Sequence, residues 1–291
     1  MAKNAPSVYD FSIAVICALT READAVLAVF DKFWEEDTII YERAPQDPNS
    51  DTTGKVGDYN VVLAHMPEYG KSNAAVVASH LRHSFPNIKI GFIVGVCGGS
   101  PQNQESGNIF LGDVIIGTGI VDYDFGRKLP KEFVPKNPLG DTGNAELKAF
   151  LGQMQGKLER HLLKVNTAKY LAAPSAIPED VKPKYLGFDA DKLFRTSHRH
   201  KHHEPSSCAI CAECKNDEDS VCPDIDKLSC AVTKCHELVY RNRPPGDRGD
   251  LSTTQEENEA VIYFHKPSIH YGLIGSGDTV MKSSRDRDDL I

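Results

Sequence analysis

Regular patterning begins with "FSIAVICAL", Phe11 to Leu19, a continuous apolar run of strand length. A run without polar alternation fits a strand covered on both faces. The period then changes. Ala23, Val26, Leu27, Phe30 and Phe33 recur at helical spacing, Thr20 stands where a cap is wanted, and Glu22 and Asp24 favour the positive end of a helix. "APQDPNSDTTG" reads as loop and "YNVVLAHM" as the next strand, while "GKSNAAVVASHLRHSF" is helical, with Ala74, Ala75 and Ala78 small enough for close packing on a sheet. "IKIGFIVGV" reads as a second buried strand that ends in Gly98-Gly99, and "GDVIIGTGIV" as another. Strands and helices alternating in this rhythm predict an α/β sandwich with a mostly parallel or mixed sheet.

Beyond Phe125 the pattern loosens. "RKLPKEFVPKNPLGDTG" is loop, "NAELKAFLGQMQGKLERHLL" is one helix, and "AAPSAIPEDVKPKYLG" is loop again. Between about Leu193 and Asp250 the composition turns to His, Cys, Pro and charge, and α/β character returns only with "AVIYFHKPSIHYGLIGSGD". The expectation is one domain over 10–291 that carries a Cys/His-rich insertion at 184–250, after a flexible N-terminus at 1–9. The charged residues after Ser276-Gly277-Asp278 look like the start of a helix.

Composition narrows the function classes. A net charge of −8 disfavours non-specific nucleic-acid binding, which wants a basic face. The chain has neither an apolar run of membrane-spanning length nor the apolar core of a signal peptide near its start, so a cytoplasmic protein with reduced thiols is expected.

In α/β sheets, ligands gather at the carboxyl ends of strands. Three stretches fall at such ends: "ALTRE", "GVCGGSP" and "GSGDTVM". Glycine at a strand end is often only a turn; three such ends on core strands together point to a ligand pocket. In order, "IAVICALTREADAV", "YGKSNAA", "FPNIKIGFIVGVCGG", "LGDVIIGTGIVDYDFGR" and "IHYGLIGSGDTVMKS" resemble the purine nucleoside phosphorylase and methylthioadenosine nucleosidase superfamily, most of all its branch in filamentous fungi.

The resemblance implies a three-layer α/β/α sandwich around a mixed β-sheet. It also implies cleavage of the N-glycosidic bond of a purine nucleoside, no catalytic cofactor, and a pocket often completed across a homo-oligomer, dimer or trimer. By the same resemblance Glu22 falls at the water-activating carboxylate of the nucleosidases, and its plain alternative is a first-turn acid that meets the helix dipole. Cys97, Gly98 and Gly99 would form the pocket floor, with Cys97 a small buried residue, and Val280 and Met281 would flank the base. "DYDFGR", Asp122 to Arg127, would be pocket rim or subunit contact. Ile93 and Val96 stand where phosphorylases carry a phosphate-binding arginine and often a serine, which favours hydrolysis. Arg21 and the Lys71 region keep phosphorolysis open.

In the superfamily a ribose-binding glutamate and a purine-protonating aspartate follow the "SGD" loop. The sequence stops at Ile291 before either. The resemblance therefore also implies a missing C-terminal part, and a catalytically incomplete nucleoside-binding or interaction module stands as the alternative to an enzyme.

"SHRHKHHEPSSCAICAECKNDEDSVCPDIDKLSCAVTKCHELVYR" is the other unusual stretch. Cys208, Cys211, Cys214, Cys222, Cys230 and Cys235 crowd together, with His198, His200, His202, His203 and His236 in reach. Thiolates two residues apart can face one tetrahedral ion, so a structural Zn²⁺ is expected, with disulfides or free thiols as the competing readings.

Overall fold

The structure is a computed structural model that describes residues 6–34, 43–103, 107–130, 133–136, 143–172, 191–204, 207–216, 219–236, 238–239 and 267–288. It divides into two compact units. One comprises Met1–Gly98, Gly117–Pro183 and Gly272–Val280; the other comprises Gly99–Ile116, Lys184–Tyr271 and Met281–Ile291.

The first unit is built on a five-stranded mixed sheet. Its elements are β1 (Phe11–Cys17), α1 (Thr20–Leu27), β2 (Lys32–Phe33), β3 (Ser50–Val56), β4 (Tyr59–His65), α2 (Lys71–Ser84) and β5 (Ile90–Ile93). The strand order is β2-β3-β4-β1-β5, in which β4, β1 and β5 run parallel and β2 and β3 are antiparallel additions. Alternation along the two central strands separates the faces. Ala14 and Ile16 of β1 and Val62 and Ala64 of β4 pack with Val77 and Leu81 of α2 and with Phe85. Val15 and Cys17, with Val61 and Leu63, pack on the opposite face against Ala23, Val26 and Leu27 of α1. One helix on each face makes the three layers that were expected. Each large side chain buried here contributes about 1.5–3 kcal/mol of hydrophobic stabilisation.

Several local expectations need correcting. "SDTTGKV" is not loop but β3, paired along its whole length with β4. The hairpin turns at Gly57-Asp58, and Gly57 takes φ +58°, a conformation open to glycine without strain. Phe33 does not continue α1, which stops at Leu27; it lies on β2. "IKIGFIVGV" is not a buried strand. Among the described residues only Ile90–Ile93 pairs, at the sheet edge against β1, and Phe92 is 43% and Ile93 73% exposed. "NAELKAFLGQMQGKLERHLL" is two helices, α3 (Ala145–Met154) and α4 (Lys157–Ala172). They break at Gln155-Gly156, where the Gly156 N–H turns back to the carbonyl of Gln153. In the expected flexible N-terminus, Val8 packs on the core and Val8–Asp10 forms a 3-10 turn. Residues 1–5, 173–187, 240–250 and 260–266, on which the remaining N-terminal, loop, insertion and strand expectations fall, lie outside the described residues.

Two longer strands, β6 (Val114–Asp122) and β7 (Ile269–Ser276), form a separate ladder. In the second unit the start of that ladder is fixed by Asp113. Its buried carboxylate accepts the N–H groups of Phe110 and Ser268 at 2.9 Å and meets His270 Nε2 at 3.0 Å. The same unit holds α5 (Ala209–Glu213), α6 (Cys230–Thr233) and α7 (Ser284–Asp288), the last being the short charged helix expected after the "SGD" loop. Among the described residues no helix is long and apolar enough to cross a membrane.

Candidate functional site

Because β1, β4 and β5 are parallel, their carboxyl ends share one edge of the sheet. Two groups of polar side chains, both within the first unit, are centred on residues that follow this edge, Glu22 after β1 and Lys71 after β4.

The first group is centred on Glu22 in the opening turn of α1. Its Oε2 accepts the N–H groups of Ala18 at 3.1 Å and Leu19 at 2.8 Å, which would otherwise be unsatisfied where β1 turns into the helix. Its Oε1 accepts the N–H of Val96 at 2.9 Å. The carboxylate thus ties the β1–α1 turn to the loop after β5 and is 8% exposed. Gly95 is required there, since a Cβ at that position would stand 2.9 Å from Oε1. A carboxylate has about four acceptor positions; three are taken by backbone donors, and one on Oε1 stays available to a water or a hydroxyl. Beneath the turn, burial and then the Glu22 charge push the Cys17 thiol up to about 11, so it stays protonated at neutral pH.

The second group is centred on Lys71, the first residue of α2. Its ammonium binds Asp122 at 3.0 Å and also Asp124, both at the end of β6. The Lys71 backbone N–H donates to Asp278 Oδ1 at 2.7 Å, and the Asp278 N–H donates to Asp124 Oδ2 at 2.5 Å. The hydrogen bond from Lys71 holds the Asp124 carboxyl below its ordinary range, and the same contacts raise Lys71. Close backbone approach requires Gly277, where a Cβ would stand 2.5 Å from the Tyr123 ring. The Tyr123 hydroxyl in turn donates to the carbonyl of Thr279. The Lys71 ammonium is therefore held by Asp122 and Asp124 and is not free to bind a phosphate. In the sequence Lys71, "DYDFGR" and "SGD" are separate features, and the one signal they share is that each follows a strand.

Of the residues expected in the pocket, Gly98 is exposed and Val280 is 67% exposed, while Gly99 and Met281 are half-buried. Cys97 is exposed rather than buried.

In the second unit, all eight cysteines of the chain being free thiols, the insertion brings sulfur and imidazole together in three groups. These are His202 with Cys208 and Cys211, His200 with Cys230 and Cys235, and His198 and His203 with Cys235. Cys214 and Cys222 belong to none of these groups, and each group combines the sulfurs with histidines of the same stretch of sequence. These groups are capable of binding a metal.

Comparison with known proteins adds a family. The family model described as "Phosphorylase superfamily" matches residues 12–191. A curated relative, a "Nucleotide-binding leucine-rich repeat (NLR)-like protein" of Hyaloscypha variabilis, is 31% identical over 125 residues, which is 41% of this chain but 12% of that protein. The chain thus corresponds to a small part of the curated relative's length. Two solved structures also align, at low similarity. Futalosine hydrolase of Helicobacter pylori does so at 15% identity and TM-score 0.34, covering 50% of this chain and 57% of that one. The 5'-methylthioadenosine/S-adenosylhomocysteine nucleosidase of Neisseria meningitidis does so at 19% identity and TM-score 0.34, covering 55% and 57%.

Proposed function

This chain belongs to the phosphorylase superfamily, and from that premise we propose that it cleaves the N-glycosidic bond of a purine nucleoside by hydrolysis. The observation that carries the reading is the Glu22 carboxylate, fixed by three backbone N–H groups at the carboxyl edge of the parallel strands with one acceptor position to spare. In the proposed reaction Glu22 orients a water against the anomeric carbon. The bond from that carbon to the purine nitrogen breaks and its electron pair leaves with the base. The water oxygen bonds to the sugar carbon while Glu22 takes a proton from it, and the base takes up one proton. Phosphorolysis is disfavoured because Ile93 and Val96 offer no anion-binding groups and Lys71 is held between Asp122 and Asp124. We propose no cofactor for this step.

A second reading is favoured by one observation: the curated relative is far longer than the matched segment. In that reading the chain is a nucleoside-binding input module of a larger protein and releases no base. Both readings are tested by incubating the purified chain with adenosine, with and without phosphate, and measuring free adenine. Release in the absence of phosphate, lowered about a hundred- to ten-thousand-fold by Glu22→Gln, is the expected result. Release only with phosphate overturns hydrolysis. Calorimetric binding of adenosine without release supports the module.

A further inference from the structure

Beyond residue 191, where the family match ends, the described chain has little apolar core. Its buried residues between 192 and 239 are Cys211, Cys214, Ile225 and Thr233. Something other than burial must order it. We propose that His200, Cys230 and Cys235 bind a structural zinc ion.

The local fold brings these residues together. Cys230–Thr233 form a single helical turn, α6, capped by Ser229, whose hydroxyl accepts the N–H of Val232. Lys234 takes the left-handed conformation, φ +57°, and ends the turn, so that the Cys235 N–H reaches the carbonyl of Cys230 at 3.0 Å. Both sulfurs then face the same side. His200 Nδ1 lies 3.3 Å from the sulfur of Cys235 and 3.8 Å from that of Cys230.

The other nitrogen of His200 decides the chemistry. Nε2 stands 3.1 Å from the carbonyl oxygen of Ile225 and 3.0 Å from that of Leu228. Carbonyl oxygens only accept, so Nε2 carries the proton and a neutral ring turns the Nδ1 lone pair towards the two sulfurs. A metal-binding histidine is held in this way, with its second N–H fixed by a carbonyl. The distances agree as well. Zinc bonds of about 2.0–2.1 Å to nitrogen and about 2.3 Å to sulfur, arranged tetrahedrally, place N and S roughly 3.5 Å apart.

Cys235 also belongs to a separate group with His198 and His203, and the Nε2 of His203 stands 3.1 Å from the carbonyl of Arg199. Binding is balanced by the loss of two thiol protons: one Zn²⁺ replaces one proton on each cysteine, which leaves the Zn(Cys)₂(His) unit neutral. Because this segment has little apolar core of its own, the binding free energy of the ion goes into ordering the loop, and that is the structural role.

The test uses the full chain purified under reducing conditions without chelator, with zinc measured by mass spectrometry. Cys230→Ser should hold one zinc equivalent fewer than the unsubstituted chain, and Cys222→Ser should hold the same number. Any ion held by His202, Cys208 and Cys211 cancels in that difference. Cobalt exchange into the unsubstituted chain should give thiolate-to-cobalt charge transfer and a tetrahedral ligand-field band, which keeps the test decisive even if Cys230→Ser misfolds. Equal zinc in the chain and in Cys230→Ser overturns the proposal. So does the absence of both zinc and a cobalt–thiolate spectrum, or a Cys230–Cys235 disulfide in peptide mapping. None of these readouts depends on nucleoside cleavage.

Discussion

The sheet of the first unit and the Cys/His segment of the second solve the same problem by opposite means. In the sheet, Phe11, Val62 and Leu63 are fully buried, and order follows from apolar area removed from water. In the Cys/His segment, order comes from donors and acceptors. The Arg199 guanidinium holds the carbonyls of Asn216 and Asp219, the Lys201 ammonium holds that of Cys214, and imidazoles face thiols. Burial is cumulative and tolerates small changes. A site made of a few directional contacts is all or nothing, because each group removed leaves a polar partner unsatisfied.

The sharpest way to break the comparison is Phe85→Ala. Phe85 is 1% exposed and meets Phe11 edge-on at 5.1 Å, so its truncation leaves a cavity and should cost about 3–5 kcal/mol. The expected outcome is a large drop in the urea midpoint followed by far-UV circular dichroism. A loss below about 1 kcal/mol would mean that the layer between α2 and the sheet repacks freely, and the contrast with the Cys/His segment would then disappear.

A smaller effect is expected at Glu22, which belongs to both styles: it is buried like the core but acts through directional bonds. Glu22→Gln keeps the shape but offers one acceptor oxygen where the carboxylate offers two, so at least one of the Ala18, Leu19 and Val96 N–H groups loses its partner. The expected cost is about 1–3 kcal/mol. Gly95→Ala approaches the same carboxylate from the other side and should cost a similar amount, about 1–3 kcal/mol of crowding. The double variant, measured by the same urea titration, should lose less than the sum, because both substitutions disturb one contact. Strict additivity would show that Gly95 and Glu22 do not act on each other.

How far the sequence revealed these regions follows from the same contrast. β1, β4 and α2 were legible because their burial is periodic: unbroken apolar runs in the strands, and small and apolar residues at helical spacing in "SNAAVVASHL". β3 was missed because Ser50, Asp51, Thr52 and Thr53 carry no apolar alternation, and it is held instead by pairing with β4 and by the Gly57-Asp58 turn. The break between α3 and α4 was passed over because one glycine costs a helix only about 1 kcal/mol and rarely ends it. In the candidate site Glu22 could be named from its place in the helix opening, but its bond to Val96 could not, since 74 residues separate them. Lys71 lies 53 residues from Asp124 and 207 from Asp278, and nothing local marks them as neighbours. Cysteine content exposed the insertion at once. Which histidine faces which sulfur depends on the tight turn at Lys234, and that turn has no glycine to announce it.

The smallest expected effect tests whether the Lys71 cluster behaves as directional chemistry under acid. The Lys71 ammonium holds Asp124 below its ordinary range. A carboxyl with a depressed folded value contributes stability that is fully present above its unfolded value, near about 3.9, and that is lost as pH falls through the lower folded value. Lys71 is raised by the same contacts, so its contribution is fully present below its unfolded value, near about 10.4, and is lost only in stronger alkali as pH rises through the folded value. Between these limits the cluster should be indifferent to pH. The difference in urea midpoint between the unsubstituted chain and Asp124→Asn should therefore be flat from about pH 5 to 9 and shrink only below about pH 4. The groups are partly exposed and screened by solvent, so the difference should be slight and should fall further in high salt. A difference that already declines near neutral pH would assign the coupling to a histidine and remove Asp124 from the centre of the cluster.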